Sequence, residues 1–195
     1  MHNLSRRLRP KSFDQVVGQD LVKSMLKNSL FLNRLFPAYL FAGQRGCGKT
    51  TMARIFAKAL NCEQLECFRR APQAQALPCL ACRSCISMEE GTHPDFVELD
   101  AASNTGVDNI RQILETSVYQ PVMGKYRVFL IDEGHMLSKS AFNAFLKNLE
   151  EPAESVVFIL ATTEFDKIPA TVRSRSFLSL FPSLEMPDDL RKSNA

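Results

Sequence analysis

An α/β fold with a parallel sheet is predicted by two features of the chain. Short apolar runs that read as strands alternate with amphipathic stretches that read as helices, and several runs are too apolar for a sheet with one wet face. The first run leads straight into Gly43-Gln44-Arg45-Gly46-Cys47-Gly48-Lys49-Thr50, and a helical pattern follows at once. That is G-x-x-x-x-G-K-[ST] in the strand–loop–helix setting that a phosphate-binding loop requires.

Composition sets the outer bounds. A chain of 195 residues suits one domain, or one domain with a small insertion. With 45% apolar residues it can fill a core, so general disorder is not expected. A net charge of +3 is too small to argue for nucleic-acid binding from bulk electrostatics. Arg6, Arg7, Arg9 and Lys11 cluster near the start and read as a solvated surface. Apolar runs fall short of a membrane span, and Met1–Arg9 lacks the apolar core of a secretory signal. A soluble, cytoplasmic protein is expected, so six cysteines point to metal or redox chemistry rather than a disulfide framework.

In chain order, Pro10–Gly18 reads as an ordered loop with Phe13, Val16 and Val17 able to pack. Gln19–Leu35 reads as a helix, with Leu21, Val22, Met25, Leu26, Ser29 and Leu30 near a 3.6-residue stripe. Pro37 closes it, and Ala38–Ala42 is the first strand. Thr50–Leu60 is the helix behind the glycine loop, its inner side carrying Met52, Ile55, Phe56 and Leu60. Asn61–Gly91 breaks the pattern and reads as an excursion from the core. Phe96–Asp100 is a short strand, followed by a helix capped by Ser103 or Asn104 with a stripe of Val107, Ile110, Leu114 and Val118. Tyr126–Ile131 and Val156–Ala161 read as buried strands, Ser138–Glu150 as an amphipathic helix between them, and Phe177–Phe181 as the last strand.

The chemistry begins at the loop. Gly43, Gly46 and Gly48 permit backbone angles and close approaches that a Cβ would obstruct. Loop amides and the following helix N-terminus favour an anion. Lys49 adds a full charge for the outer phosphates of a nucleoside triphosphate, and Thr50 can ligate magnesium. Asp132 and Glu133 end a buried strand, where ligands gather in such sheets. Asp132 would hold the metal, and Glu133 would orient or deprotonate the attacking water. A hydroxyl of Thr162 or Thr163, at another strand end, could touch the terminal phosphate or that water. Arg175, after the short helical stretch Pro169–Arg173, is either a surface residue or a finger reaching a neighbour's nucleotide. His135 reads as a loop-fixing hydrogen-bonder and is left outside the site.

Cys79-x-x-Cys82-x-x-Cys85 brings three thiolates within one compact stretch, and a fourth makes a tetrahedral zinc site. Cys62 and Cys67 compete for that place. Cys62 is preferred because a helix end anchors it, while Cys67 sits in a looser stretch. A redox C-x-x-C pair is the rival reading, weakened by the third evenly spaced cysteine. Cys47 reads as a small packing residue.

LRPKSFDQVVGQ, GQRGCGKT, ELDAASNTGVDNIR, VFLIDEGHMLS, FNAFLKNLEEP, ATTEFDKIP and SRS, with the cysteine group, run in an order similar to one known family. From about Leu8 to Phe181 the chain resembles the AAA+ motor domains of bacterial DNA polymerase III gamma/tau subunits, the ATPases of the sliding-clamp loader. The resemblance implies an AAA+ P-loop NTPase core over 1–181, with a zinc-binding insertion at 62–90 and a polar tail at 182–195. It implies ATP and Mg2+ bound by Gly43, Gln44, Arg45, Gly46, Cys47, Gly48, Lys49, Thr50 and Thr51, with Val16, Val17 and Gly18 near the adenine. Thr50 and Asp132 would serve the magnesium ion. Catalytic roles fall to Lys49, to Glu133 as base, to Thr163 (ahead of Thr162) as sensor and to Arg175 acting in trans. Zn2+ falls to Cys62, Cys79, Cys82 and Cys85. Implied partners are other loader subunits in a hetero-oligomer, the sliding clamp and, through the assembly, primed DNA, with no membrane.

The sequence departs from that family in four places. Ser-Arg-Ser replaces Ser-Arg-Cys, Gly134 stands where valine is common, and the stretch from Cys62 to Cys79 is long. The helical lid with its second sensor arginine and the collar do not follow Phe181, so a fragment or a short paralogue is expected. Two other functions compete: a non-catalytic ATP-binding interaction module, and another AAA+ motor such as a branch-migration helicase. The latter gives no reason for the cysteine group.

Overall fold

The computed structural model describes residues 9–103 and 112–183. Its centre is a five-stranded, all-parallel sheet of β1 (Ala38–Gly43), β2 (Phe96–Asp100), β3 (Arg127–Asp132), β4 (Val156–Thr162) and β5 (Phe177–Phe181). The spatial order is β2-β3-β4-β1-β5, so β4 lies between β1 and β3 and brings three carboxyl ends side by side. Successive side chains on a strand point to opposite faces, and here both faces are covered. Tyr39, Phe41, Val128, Leu130, Val157 and Ile159 enter one apolar layer, while Leu40, Phe129, Ile131, Phe158 and Leu160 enter the other. On the second face Phe158 stacks on Phe129 at 5.2 Å and meets Phe145 edge-on at 5.1 Å. Each such fully buried ring contributes roughly 1.5–3 kcal/mol of transfer free energy.

The helices follow their apolar stripes. On the first face lie α1 (Asp20–Phe31) and α2 (Lys49–Leu60), and α2 buries Met52, Ile55, Phe56 and Leu60 as its pattern predicts. The helix α1 stops four residues before the expected Leu35, because Asn33 takes a left-handed φ of 51°. The Asn33 and Arg34 N–H groups then close back on the Leu30 and Ser29 carbonyls at 3.4 and 3.0 Å, a C-terminal cap that asparagine tolerates. Leu21, expected on the buried stripe, is 74% exposed at the start of α1.

The excursion from Asn61 carries α3 (Leu65–Arg70) and α4 (Arg83–Glu90). Cys62, Leu65, Phe68, Leu77 and Cys85 join the apolar layer that holds α2, so the excursion shares the main core. Buried polar groups tie it to the sheet. Ser84 on α4 meets His93 Nε2 at 3.0 Å, and His93 Nδ1 accepts the Asp95 N–H at 3.1 Å. The Asp95 carboxylate, with no exposed surface, accepts the N–H groups of Val122, Met123 and Gly124 at 2.6–2.7 Å. Asn61 exchanges two hydrogen bonds with the Tyr126 backbone, both at 2.8 Å, and so joins the end of α2 to the start of β3.

On the second face, α5 (Lys139–Glu150) begins one residue after the expected start because Ser138 is its cap, accepting the Ala141 N–H at 3.2 Å. The short α6 (Ala170–Arg173) precedes β5. Most of the helix expected after Ser103, with its stripe residues Val107 and Ile110, lies outside the described residues. Leu114 is fully buried as expected, but Val118 ends a 3-10 turn, Thr116–Val118, with 71% of its surface exposed. No described helix is long and apolar enough to cross a membrane.

Candidate active site

The glycine loop turns from β1 into α2 through two left-handed glycines, Gly46 at φ 84° and Gly48 at φ 96°. Gly43 answers a different constraint: a Cβ there would lie 2.5 Å from the Phe181 carbonyl oxygen on β5. Lys49 folds back under the loop, donating to the carbonyls of Gly43 and Gln44 at 2.8 Å each. The first N–H groups of α2 have no partner within the helix and face the cleft end. Cys47 turns its side chain into the core 3.8 Å from the Lys49 ammonium, which fits a packing role and leaves only its backbone for a ligand.

Two segments far apart in sequence meet in front of this loop. The Thr50 hydroxyl donates to Asp132 Oδ2 at 2.7 Å. Glu133, the next residue, sits in the left-handed region at φ 49° and ψ 45°, a conformation uncommon for a non-glycine residue. Its N–H closes on Asp132 Oδ1 at 3.0 Å, and its Oε2 accepts the Thr163 hydroxyl at 3.1 Å. Of the two threonines at the end of β4, Thr163 therefore reaches the acidic pair. Thr162 is buried and bonded to His135. Gln44, Arg45, Gly46, Gly48, Lys49, Thr50, Thr51, Asp132, Glu133 and Thr163 all line one cleft of about 1000 Å³.

Other expected site residues stand apart. Val17 is 80% exposed, and Gly18 (φ 69°) leads into Gln19. Arg175 lies outside the cleft, its guanidinium on the Thr171 carbonyl at 3.0 Å and 3.6 Å from Glu150. Ser176 beside it caps α6 by donating to the Val172 carbonyl at 2.8 Å, so the serine in place of cysteine has a local use. A Cβ on Gly134 would make ordinary contact with Leu160 at 3.5 Å, and Gly134 has no positive φ, so the backbone does not demand glycine there.

Two residues near the site have no role in the sequence reading, and a third, His135, has more than the loop-fixing one. Gln19 donates to the Cys47 carbonyl at 3.2 Å and to the Pro182 carbonyl at 2.8 Å, pinning the opening segment against the loop. Arg9, expected in solvent, lines the cleft, and so does His135, which was placed outside the site. An arginine beside the glycine loop can be inferred only from the fold, whereas His135 stands two residues from Glu133 in sequence.

The cysteines form a second centre. The Sγ atoms of Cys62, Cys79, Cys82 and Cys85 all lie within 4.8 Å of one another, whereas Cys67 is exposed on α3 and takes no part. Backbone N–H groups of residues 79, 82 and 85 point at the sulfurs of Cys62, Cys79 and Cys82 at 3.4–3.5 Å. Zinc–sulfur bonds of about 2.3 Å would set tetrahedral sulfurs about 3.8 Å apart, and Cys79 and Cys85 stand at 4.0 Å. The donor set is compatible with zinc. A hydrogen bond from Cys85 holds the Cys62 thiol well below its ordinary range, while that same bond and burial push Cys85 up.

Ser84, His93 and Asp95 mimic a hydrolytic triad in order only. His93 Nδ1 accepts a backbone N–H, so Nε2 carries the proton and donates to Ser84. A ring in that tautomer cannot deprotonate the serine.

The parallel sheet, the glycine loop and the acidic strand end define a P-loop NTPase core of the AAA+ class. The family described as DNA polymerase III, delta subunit, matches residues 18–185, and the chain belongs to it. It is 49% identical over 172 residues to DNA polymerase III subunit tau/gamma of Haemophilus influenzae and 48% identical to subunit tau of Escherichia coli. Those matches cover 88% of this chain but 24% and 26% of the relatives, so the chain spans about a quarter of their length. Among solved structures, the Thermotoga maritima RuvB Holliday junction branch migration motor superposes with a TM-score of 0.57 at 22% identity, over 90% of this chain and 48% of that one. A DNA polymerase III gamma subunit-related protein of the same organism gives 0.52 at 22%, over 87% and 47%. At that identity the two likenesses speak for the fold alone.

Proposed function

We propose that this chain is the ATP-binding and ATP-hydrolysing motor module of a DNA polymerase III clamp loader, working in the cytoplasm with other loader subunits, a sliding clamp and primed DNA. The observation that carries the reading is the 2.7 Å contact between Thr50 and Asp132, which joins two nucleotide motifs 82 positions apart into one cleft beside Lys49. Bound there, magnesium ATP supplies the phosphoryl bond to be cut and the ion that neutralises developing charge. Lys49 offers its ammonium to the outer phosphates, and the loop from Gly43 to Thr51 offers backbone N–H groups. Thr50 and Asp132 offer oxygens to the ion. Glu133 takes the proton of the attacking water, and Thr163 holds one of its oxygens in place. Val17 and Gly18 border the adenine, held near the loop by Gln19. Arg175, exposed and away from its own cleft, acts on a neighbouring subunit's nucleotide.

Lys49→Ala tests the binding half. Loss of a charge-assisted interaction of about 1.5–3 kcal/mol corresponds to roughly a 10–150-fold loss of ATP affinity. Equilibrium nucleotide binding reads that loss, and clamp loading by the full assembly should cease. Unimpaired loading with Lys49→Ala would sink the proposal.

The cysteine tetrad is assigned to structural Zn2+, held by Cys62, Cys79, Cys82 and Cys85. Elemental analysis of freshly purified protein should find a single zinc per chain. It should persist in Cys67→Ala and disappear in Cys62→Ala; the reverse pattern would reject the assignment.

A further inference from the structure

Behind Glu133 stands a cluster of His135, Thr162 and Glu164 that the hydrolytic scheme leaves unused. His135 lies in the 3-10 turn Gly134–Met136, with its side chain only 7% exposed. Its Nε2 is 3.2 Å from Glu164 Oε1, and its Nδ1 is 3.1 Å from the Thr162 hydroxyl. The Glu164 backbone N–H donates to that hydroxyl at 3.0 Å.

Glu164 pairs with Lys167 at 2.7 Å, and the Lys167 ammonium holds its carboxyl below the ordinary range. The Thr162 hydroxyl, which accepts from the Glu164 N–H, can also accept from or donate to Nδ1, so it fixes the ring in place. Nδ1 also stands 3.6 Å from Glu133 Oε2, the oxygen that accepts from Thr163. The ring therefore fills the space behind the Glu133 carboxylate and keeps it from folding back.

Resting on the assignment of Glu133 as general base, we propose that His135 is a positioning residue for ATP hydrolysis. Held between Glu164 and Thr162, it backs the Glu133 carboxylate toward the cleft. The role concerns the chemical step and not nucleotide affinity, because the contacts of His135 are to Thr162, Glu164 and Glu133 and not to Lys49 or the glycine loop.

Steady-state ATP hydrolysis by the full-length protein, assembled with its partner subunits and stimulated by clamp and primed DNA, tests this. Misplacing a catalytic group by about 1 Å costs on the order of 100-fold, so His135→Ala should lower kcat roughly 10–100-fold. The KM for ATP should change by less than about twofold. His135→Gln, whose neutral amide can still donate to Glu164, should recover a large part of kcat; it also carries the test alone if the alanine variant fails to fold. Wild-type kcat in His135→Ala, a parallel change in kcat and KM, or a glutamine variant no better than alanine would each overturn the proposal. Glu133→Gln in the same assay separates the two levels. If it hydrolyses ATP like the wild type, the general-base assignment itself falls; if it is dead while His135→Ala is fully active, only the positioning role falls.

Discussion

Glu133→Gln is expected to cut ATP turnover by about 10²–10⁴-fold, the usual contribution of a positioned general base, while ATP affinity stays within roughly threefold. The asymmetry follows from the local geometry. Glutamine has the same length and keeps an oxygen to accept the Thr163 hydroxyl, which Glu133 Oε2 accepts at 3.1 Å. The left-handed backbone at φ 49° is equally available to it, so no new strain enters. What disappears is the carboxylate's ability to take a proton from water. Phosphate contacts are assigned elsewhere, to the loop and to Lys49, so binding should survive. Single-turnover hydrolysis together with equilibrium nucleotide binding separates the effects. Turnover near wild type would remove Glu133 from the mechanism, and a matched loss of affinity would make it a binding residue instead.

Legibility in the sequence tracked how local the deciding interaction is. The strands around β1, β3 and β4 could be read because a sheet buried on both faces needs unbroken apolar runs, and those runs are contiguous in the chain. The loop could be read because its glycines, lysine and threonine are neighbours. Cys62 and not Cys67 in the tetrad was also legible, since the end of α2 is a fixed point and the residues after it are less constrained. By contrast, α1 was read too long: its apolar spacing continues to Leu35, but Asn33 in a left-handed conformation ends it. Leu21 and Val118 fit helical stripes by spacing alone, yet each sits where an element begins or ends and is largely exposed. Gln19 and Asp95 act through partners distant in sequence, and Arg9 lines a cleft built from distant segments, so no local pattern announces their roles. His135 was a matter of weight: its loop-fixing bond to Thr162 is there, but the same ring also lines the cleft beside Glu133.

Asp95→Ala is expected to destabilise the chain by about 3–5 kcal/mol, because it strands several buried donors at once. The carboxylate has no exposed surface and accepts three consecutive N–H groups, from Val122, Met123 and Gly124. Water cannot replace those bonds without opening the loop, and the loop cannot relax freely. A Cβ on Gly124 would stand only 2.6 Å from the Asn61 side chain, itself bonded twice to Tyr126, so the backbone there is closely confined. Asp95→Asn should be only partly better, since its amide nitrogen would face backbone donors instead of accepting from them. The pH dependence has a definite sign. Burial by itself pushes the Asp95 carboxyl up, but the bonds from Gly124, Val122 and Met123, aided by His93, outweigh it and hold the group below its ordinary range. A carboxyl depressed on folding stabilises the native state above its unfolded value of about 3.9 and loses that contribution as pH falls toward the folded value. Urea unfolding of the wild type should therefore weaken below about pH 4 more steeply than that of Asp95→Asn, which has no carboxyl to protonate. Identical acid limbs in the two proteins would show that Asp95 is not held as a charged acceptor, and the buried link from α4 to the loop before β3 would need another explanation.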